Sequence, residues 1–229
     1  MTKPRLLDLY SCAGGAAMGY HRAGFEVVGV DIIEQPRYPF EHHVADAIEY
    51  VKKHAGDFDV IHASPPCQAY SVTRHAHTNE HPDLLAPTRA ALIETGLPYV
   101  IENVPDAPLH DPLVLCGSEF GLRALDVDGL PLALKRHRLF ESNVWLMGAG
   151  GCVHDGTLVA GAYGGSRHRT PAHRDDPSRL GGYTPALKVR AALLGVDWMN
   201  EHEMSQSIPP AYTEHIGDQL MRELSAVFQ

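Results

Sequence analysis

The sequence predicts an α/β fold: a doubly wound, mostly parallel sheet with a small loop-rich insert. Three observations support this prediction. Strand and helix patterns alternate over the first hundred residues, a loop of small residues follows the first strand, and periodicity is lost from about Phe140 to Gly182. Strands that alternate with helices are typical of a parallel sheet whose two faces are covered.

Each element follows from its residue pattern. Five apolar runs predict strands: RLLDLY (Arg5 to Tyr10), EVVGVD (Glu26 to Asp31), HHVAD, DVIHA and PYVIENV (Pro98 to Val104). Helical spacing appears toward Ala23, from Ala47 to His54, from Thr88 to Thr95, from Thr184 to Leu194 and from Tyr212 to Phe228. The last helix carries one apolar face, formed by Ile216, Leu220, Leu224 and Val227.

Composition indicates an ordinary globular protein. Of 229 residues, 44% are hydrophobic and 21% charged, and the net charge of −9 speaks weakly against a nucleic-acid partner. The charge is uneven, however. From Lys135 to Arg190 there are nine Lys or Arg and four Asp or Glu, a local balance of +5. This segment fits either a groove for a polyanion or a solvated surface loop.

The chain is expected in the cytoplasm, in a bacterium or a phage-infected host. No run of 18 apolar residues predicts a membrane span, and Asp8 interrupts what would be the apolar part of a signal peptide. The four cysteines are far apart and form no CxxC pair, which favours a reducing compartment over a disulfide scaffold.

Chemically useful side chains follow the predicted strands at their carboxyl ends. In order along the chain they are the glycine loop, Asp31, Asp46, Cys67, and Glu102 with Asn103. Ligands of open parallel sheets bind beyond these strand ends, so we expect the residues to converge on one site. The glycine loop also fits a tight strand-to-helix turn, and each Asp also fits a helix cap.

The pair SPPCQ and ENV is more specific. A thiolate that adds to C6 of cytosine makes C5 enamine-like, and an acid at N3 takes up the charge that develops on the ring. Cys67 and Glu102 can supply these two groups from adjacent strand ends. The pair therefore indicates covalent chemistry on a pyrimidine rather than a buried structural cysteine.

At this point the chain resembles the DNA cytosine-5 methyltransferase family, over most of its length. Six segments in family order carry the resemblance: DLYSCAGGAAMGYHRAGF, SPPCQAYS, ENV, RHRLF, TPALKVRAALLGV and PPAYTEHIGDQLM. Three positions depart from the family pattern. Cys12 stands where glycine is usual, Leu134 replaces a glutamine, and Gly217-Asp218 replaces Gly-Asn. Cys12 is acceptable there if its backbone keeps φ negative.

The resemblance implies a class I, Rossmann-like methyltransferase that uses S-adenosylmethionine. Cys67 would be the nucleophile and Glu102 the partner of N3, while Arg136 and Arg138 would steady the flipped base or its phosphate. Asp31 would contact the ribose and Asp46 the adenine. The full cofactor set implied is Asp8, Tyr10, Ser11, Cys12, Ala13, Gly14, Gly15, Asp31, Ile32, Asp46, Ala47 and Pro65.

The resemblance also implies the substrate side of the site. The expected contacts are Gln68, Ser71, Asn103, Arg167, Arg169 and Arg174, and the His-rich loop from Gln68 to Pro87 would close over the substrate. We divide the chain into residues 1–139 for catalysis and cofactor binding, 140–182 for a small target-recognition insert, and 183–229 for a segment that returns to the catalytic domain. An insert this short implies a short or relaxed target sequence.

The expected reaction is transfer of a methyl group to carbon 5 of cytosine in double-stranded DNA by a monomer, through a covalent Cys67 adduct and base flipping. Two alternatives stay open: the same chemistry on tRNA or a free pyrimidine nucleotide, and a catalytically silent nucleic-acid-binding relative. The sequence identifies neither a restriction partner nor the target sequence.

A zinc site is the remaining hypothesis. Cys152, His154, His168 and His173 are ligand types that zinc prefers, but CxH followed by HxxxxH matches no standard spacing. We therefore expect no metal, and we interpret these histidines as loop residues beside phosphates.

Overall fold

A computed structural model describes residues 3–66, 83–162 and 183–227. Two sheets lie within these ranges. The larger has seven strands: β1 (Arg5–Leu9), β2 (Glu26–Asp31), β3 (Glu41–Val44), β4 (Val60–Ala63), β5 (Tyr99–Asn103), β6 (Leu113–Leu115) and β9 (Arg138–Ser142). The smaller has three: β7 (Arg123–Leu125), β8 (Pro131–Ala133) and β10 (Leu158–Val159).

Six α-helices accompany these sheets in the same ranges. They are α1 (Gly15–Arg22), α2 (Ala47–His54), α3 (Leu85–Thr95), α4 (Leu187–Leu194), α5 (Glu201–Gln206) and α6 (Pro210–Val227). The helix predicted from Thr184 begins at Leu187 instead, because Pro185 disfavours helical geometry in the residue before it. Within the described ranges, no helix combines the length and apolar character needed to cross a membrane.

The large sheet has the order β3-β2-β1-β4-β5-β9-β6. Strands β1 to β5 pair in parallel, whereas β9 is antiparallel to both of its neighbours. The order in which the chain adds strands reverses between β1 and β4: β2 and β3 follow on one side of β1, and β4 and β5 on the other. The carboxyl ends of β1 and β4 therefore open a crevice where ligands of such sheets bind. The predicted doubly wound, mostly parallel sheet is confirmed.

Helices cover both faces of this sheet. Alternate strand residues point to opposite faces, so Leu6 and Val60 pack beside α1 and α6, while Leu7 and Ile61 pack beside α2 and α3. On α6, Ile216 and Leu220 are buried and Leu224 is partly buried, as the predicted apolar face requires. The α1–α6 contact is close enough that only glycine fits at position 19.

The smaller sheet packs against α4 through a separate apolar cluster that includes Leu132, Leu193 and Leu194. Two of its strands precede residue 140, and the boundary placed at that residue falls inside β9. Phe140 pairs with Glu102 and is buried in the core of the large sheet, so residues 140–142 belong to that sheet. Strands of three residues are too short for a period of two to be recognised in the sequence.

Candidate active site

A cleft of about 380 Å³ opens at the carboxyl edge of the large sheet. Its walls come from the ends of β1, β2, β4 and β5, from the start of β9, and from the segment around α5. The lining residues include Asp8, Tyr10, Ser11, Cys12, Ala13, Gly15, Asp31, Ile32, Ser64, Pro65, Pro66, Glu102, Arg138, Met199, His202, Ser207 and Ile208. Nine of the twelve residues predicted for the cofactor are among them.

The loop from Tyr10 to Gly15 forms one wall and has a demanding backbone conformation. Tyr10, Cys12 and Gly14 have φ values of 57°, 44° and 80°. The positive φ of Cys12 contradicts the condition under which we expected it to replace glycine, and a left-handed residue other than glycine costs about 1–2 kcal/mol. The carboxylate of Asp31 compensates, because its Oδ2 accepts a 3.0 Å hydrogen bond from the Cys12 amide.

The far end of the cleft combines an acid with exposed apolar side chains. Asp31 ends β2, and its Oδ1 also accepts a hydrogen bond from the amide of Ile33. Ile32, beside it, exposes 67% of its surface. Nearby, the buried Oγ of Ser11 has no hydrogen-bond partner among the described residues. An unpaired hydroxyl, a carboxylate and an apolar surface suit a ligand that carries a ribose and a flat ring.

Three other residues predicted for the cofactor, Asp46, Ala47 and Gly14, are not among the residues that line the cleft. The Oδ1 of Asp46 accepts hydrogen bonds from the amides of Ile48 and Glu49, so this residue caps α2. Ala47 is buried beneath that cap, and Gly14 packs against Tyr38. Of the two interpretations given for Asp46, the structure shows the helix cap and shows no part for it in the cleft wall.

Asp8 is a buried carboxyl on the floor of the cleft. Burial raises its pKa well above the ordinary value, and the nearby Asp31 adds to this effect. The hydroxyl of Tyr38 donates to its Oδ2 at 3.2 Å and opposes the rise. Asp8 therefore holds a proton more tightly than an exposed aspartate does.

Glu102 lies at the other end of the cleft, where β5 ends. Its side chain is buried, and its Oε1 is 2.9 Å from Nε of Arg138. Burial raises the pKa of Glu102, while Arg138, Arg136 and a hydrogen bond with Ser64 act in the opposite direction. Glu102 therefore holds a proton more tightly than an exposed glutamate does, and its side chain lines the cleft.

A chain of buried polar groups supports Glu102 from below. The hydroxyl of Tyr20 lies 3.0 Å from Nδ1 of His62, and Nε2 of His62 lies 2.8 Å from Oγ of Ser64. Burial lowers the pKa of His62 to about 3, so the imidazole is neutral. Tyr20 then donates to Nδ1, Nε2 donates to Ser64, and Ser64 donates to Glu102. His62 and Ser64 were not predicted as site residues, because they occupy alternate positions of an apolar strand pattern.

Two predicted site residues, Asn103 and Arg136, make structural contacts. Asn103 is buried, and its Nδ2 donates to the carbonyl of Pro65 at 3.0 Å, which joins the end of β5 to the segment that precedes Cys67. The buried guanidinium of Arg136 donates to the carbonyls of Ala162, Ser205 and Ser207, and Arg136 is absent from the described lining of the cleft. Arg138 forms a 2.9 Å ion pair with Glu102.

The wall of the cleft formed by residues 199–208 was not predicted from the sequence. Trp198 anchors this wall, because its Nε1 donates to the carbonyl of Ala13 at 2.8 Å. Arg37 adds a 2.9 Å ion pair to Glu203. These residues lie far from the glycine loop along the chain, and no local pattern links the two segments.

Several predicted residues lie outside the described ranges. They are Cys67, Gln68, Ser71, Arg167, Arg169 and Arg174, together with His168, His173 and most of the loop from Gln68 to Pro87. Ser64, Pro65 and Pro66 lead up to Cys67 in the chain, and all three line the cleft.

Comparison with solved structures identifies the class of fold. A protein described as a DNA modification methyltransferase encoded within an E. coli prophage matches with a TM-score of 0.60 and 16% identity, over 97% of this chain and 100% of that one. The Dnmt2 methyltransferase of S. pombe matches with a TM-score of 0.58 and 13% identity, over 97% and 99% of the two chains. The Entamoeba histolytica methyltransferase EhMeth gives 0.54 and 12%, over 98% and 99%.

The fold is thus that of class I S-adenosylmethionine-dependent methyltransferases. Residues 4–112 match the family model of C-5 cytosine-specific DNA methylases, which covers the glycine loop, SPPCQ and ENV. Over these residues the chain is similar to that family, as the motifs there predicted. A sequence comparison with curated proteins found no match.

Proposed function

We propose that this protein transfers a methyl group from S-adenosylmethionine to carbon 5 of cytosine in DNA. The observation that carries the proposal is the position of Glu102 and Arg138. They form an ion pair of 2.9 Å at one end of a cleft whose other end is the glycine loop and Asp31. A base at Glu102 and a cofactor at Asp31 would therefore share one cavity.

The residues of the cleft suit S-adenosylmethionine. Asp31 can accept hydrogen bonds from ribose hydroxyls with the remaining lone pairs of its two oxygens. Ile32 offers an exposed apolar surface to the adenine, and the unpaired Oγ of Ser11 offers a polar contact. When bound, S-adenosylmethionine supplies the electrophilic methyl group.

The protein's own residues prepare the cytosine for this transfer. In the proposed mechanism, the Cys67 thiolate adds to C6 while Glu102 provides a proton at N3, so that C5 gains the electron density of an enamine. After methylation, C5 loses its proton to water, N3 returns its proton to Glu102, and departure of the Cys67 sulfur as a thiolate restores the aromatic ring. Arg138 keeps the Glu102 carboxyl oriented throughout. Because C6 is hidden in a stacked duplex, the base must flip out.

Methylation and trapping assays test this mechanism. With labelled S-adenosylmethionine and duplex DNA, Cys67→Ser and Glu102→Gln should each lose activity by at least about a hundredfold, the usual contribution of a positioned acid or nucleophile. Glu49→Gln, on the exposed face of α2, is the matched control and should keep full activity. DNA that contains 5-fluorocytosine should trap a covalent adduct with wild type, because C5 then carries no proton to lose.

The substrate is tested by offering duplex DNA, tRNA and free cytidine nucleotides under one set of conditions. Label in DNA at a consistent sequence context supports the proposal. Label in tRNA or nucleotides alone would keep the chemistry and refute DNA as the substrate. A Cys67→Ser variant that retains more than a few per cent of wild-type activity would refute covalent catalysis by this residue.

We further propose that the basic segment near Arg167, Arg169 and Arg174 binds DNA phosphates, since the rest of the chain is acidic. Alanine at all three positions should weaken DNA binding and lower the slope of log affinity against log salt by about one for each lost contact. The double variant of Lys52 and Lys53, at the end of α2, is the control and should change neither. A wild-type slope in the triple variant would exclude this segment as the DNA-binding surface.

A further inference from the structure

We propose that the chain holds one structural zinc ion through Cys116, His137, Cys152 and His154. The ligand atoms of these four residues all lie within 4.8 Å of one another, and none of the four lines the cleft. They form a Cys₂His₂ set, which is a standard ligand set for structural zinc. The cluster differs from the set considered in the sequence, because Cys116 and His137 take the places of His168 and His173.

The spacing of the ligand atoms suits a tetrahedral zinc ion. Zn–S bonds of about 2.3 Å and Zn–N bonds of about 2.0–2.1 Å place neighbouring S and N ligands about 3.6 Å apart. Nε2 of His154 lies 3.4 Å from Sγ of Cys116 and 2.9 Å from Sγ of Cys152. Nε2 of His137 lies 3.3 Å from Sγ of Cys152. These three of the six edges lie within about 0.7 Å of the tetrahedral value, and all four ligand atoms lie within 4.8 Å of one another.

Three separate segments deliver these ligands. Cys116 follows β6 and precedes the 3-10 helix at Gly117–Phe120, His137 immediately precedes β9, and Cys152 and His154 lie in the loop before β10. The Cys116 segment packs closely against the strand connection that leads to His137, because the Gly117 amide donates to the Lys135 carbonyl at 2.8 Å. A Cβ on Gly117 would come within 2.2 Å of the Leu134 carbonyl oxygen, so only glycine permits this approach.

Neighbouring groups also orient the ligands. The hydroxyl of Ser118 donates to Sγ of Cys116 at 3.2 Å and accepts a hydrogen bond from the amide of Val153 at 3.2 Å. Glu119 accepts from the amide of Cys116 through one oxygen and from the amides of Ala149 and Gly151 through the other. Hydrogen bonds of this kind to metal-binding thiolates and their backbone are typical of built metal sites.

The ligand count identifies the role of the ion. Four protein ligands close the coordination sphere, so the ion would stabilise the fold and take no part in the reaction. The loop between β9 and β10 is mostly exposed and holds few apolar contacts, and a zinc ion would join it to both β6 and β9. His137 lies between Arg136 and Arg138, so the same ion would fix the strand that presents Arg138 to Glu102.

Metal analysis of the purified chain tests the proposal without any activity measurement. Wild-type protein that is expressed with zinc and passed through a desalting column should contain about one zinc ion per chain, measured by elemental mass spectrometry. Cys152→Ser should lose the zinc, and because Cys152 is exposed its replacement disturbs no packing. Cys12→Ser is the matched control and should keep one zinc. A chain in which Co²⁺ replaces zinc should show the visible absorption bands of tetrahedral, thiolate-bound cobalt.

These measurements distinguish a zinc ion at this site from a disulfide and from a metal bound elsewhere. A chelator should lower the melting temperature of wild type and leave that of Cys152→Ser unchanged. Zinc below a tenth of an equivalent in a folded wild-type protein would overturn the proposal. A Cys116–Cys152 disulfide, detected as a loss of two hydrogens in the intact mass, would overturn it as well. Equal zinc in wild type and Cys152→Ser would place the metal elsewhere and likewise refute the site.

Discussion

Gly19 provides a quantitative test of how α1 packs against α6. A Cβ at this position would lie 2.1 Å from Oγ1 of Thr213, 2.2 Å from the carbonyl oxygen of Pro210 and 2.6 Å from the amide of Glu214. The Thr213 hydroxyl can rotate away, at the expense of its hydrogen bond to Ala16. The Pro210 carbonyl belongs to the first turn of α6 and cannot rotate. In Gly19→Ala the two helices must therefore separate by about 1 Å.

The expected loss of stability follows from two opposing effects. Overpacking of a filled interface costs about 1–3 kcal/mol and sometimes more, whereas alanine in a helix gains about 1 kcal/mol over glycine. Contacts this short with backbone atoms put the steric cost at or above the top of its range. We expect a net loss of about 2 kcal/mol, which in a chain of this size lowers the melting temperature by about 4–8 °C.

Thermal unfolding of Gly19→Ala beside Gly56→Ala measures this effect. Gly56 lies in the 3-10 helix at Ala55–Asp57, and nothing lies within 4 Å of a Cβ placed there. Its replacement should leave the melting temperature unchanged or raise it, because alanine restricts the unfolded chain. A Gly19→Ala protein that melts at or above wild type, with Gly56→Ala behaving as expected, would refute the close α1–α6 contact.

The remaining predictions concern the polar groups of the cleft. Ser64→Ala removes a hydrogen bond that lowers the pKa of Glu102, so the basic limb of the pH–rate profile should move to higher pH; Ser225→Ala, on exposed α6, should not move it. Asp8→Asn removes a buried carboxyl whose pKa is raised. The free energy of unfolding of wild type should fall as the pH rises from the ordinary pKa of an aspartate toward the raised pKa of Asp8. Urea titrations should show that the free energy of unfolding of the variant depends less on pH. Arg136→Met should destabilise the chain by several kcal/mol in the same titrations, because three buried carbonyls lose their donor; an unchanged midpoint would contradict that contact.

How far the fold could be predicted depended on strand length. The strands β1, β2, β4 and β5 have four to six residues and almost continuous burial, which an apolar run reveals directly. β6, β7, β8 and β10 have two or three residues, and no periodicity can be recognised over that length. β9 was missed for another reason, since RHRLF was interpreted by its charges rather than as the start of a strand.

The comparison of Asp31 with Asp46 shows why the site was predicted only in part. Both are acids that follow a strand, and both fit either a ligand contact or a cap. β2 lies inside the sheet beside β1, so Asp31 faces the glycine loop and the cleft. β3 is the edge strand, and Asp46 caps the helix that leaves it. The order of strands decides between the two roles, and a single sequence does not contain that order.

Spacing rules could not predict the full set of proposed zinc ligands either, because strand pairing brings them together. Cys152 and His154 stand two residues apart, whereas Cys116 and His137 precede Cys152 by 36 and 15 residues. Antiparallel pairing of β6 with β9 brings Cys116 and His137 together. A pattern search with fixed spacing finds ligands on one loop, but ligands joined by strand pairing appear only in three dimensions.

Backbone strain links the cleft to the rest of the fold. Among the described residues other than glycine, positive φ occurs at Tyr10, Cys12, Asp111 and Arg136, and three of these four adjoin the cleft or its supporting wall. Each of the three has a fixed partner: the Tyr10 hydroxyl lies 2.7 Å from Thr88 Oγ1, the Cys12 amide binds Asp31, and Arg136 binds three carbonyls. Hydrogen bonds to charged groups contribute about 1.5–3 kcal/mol, which offsets the cost of about 1–2 kcal/mol for a left-handed residue. At Cys12 this balance explains how a position that is glycine in the family pattern can carry a side chain. The Asp31 carboxylate that faces the cleft also holds the loop in place, so replacing Asp31 would release the loop as well as remove the proposed ligand contact.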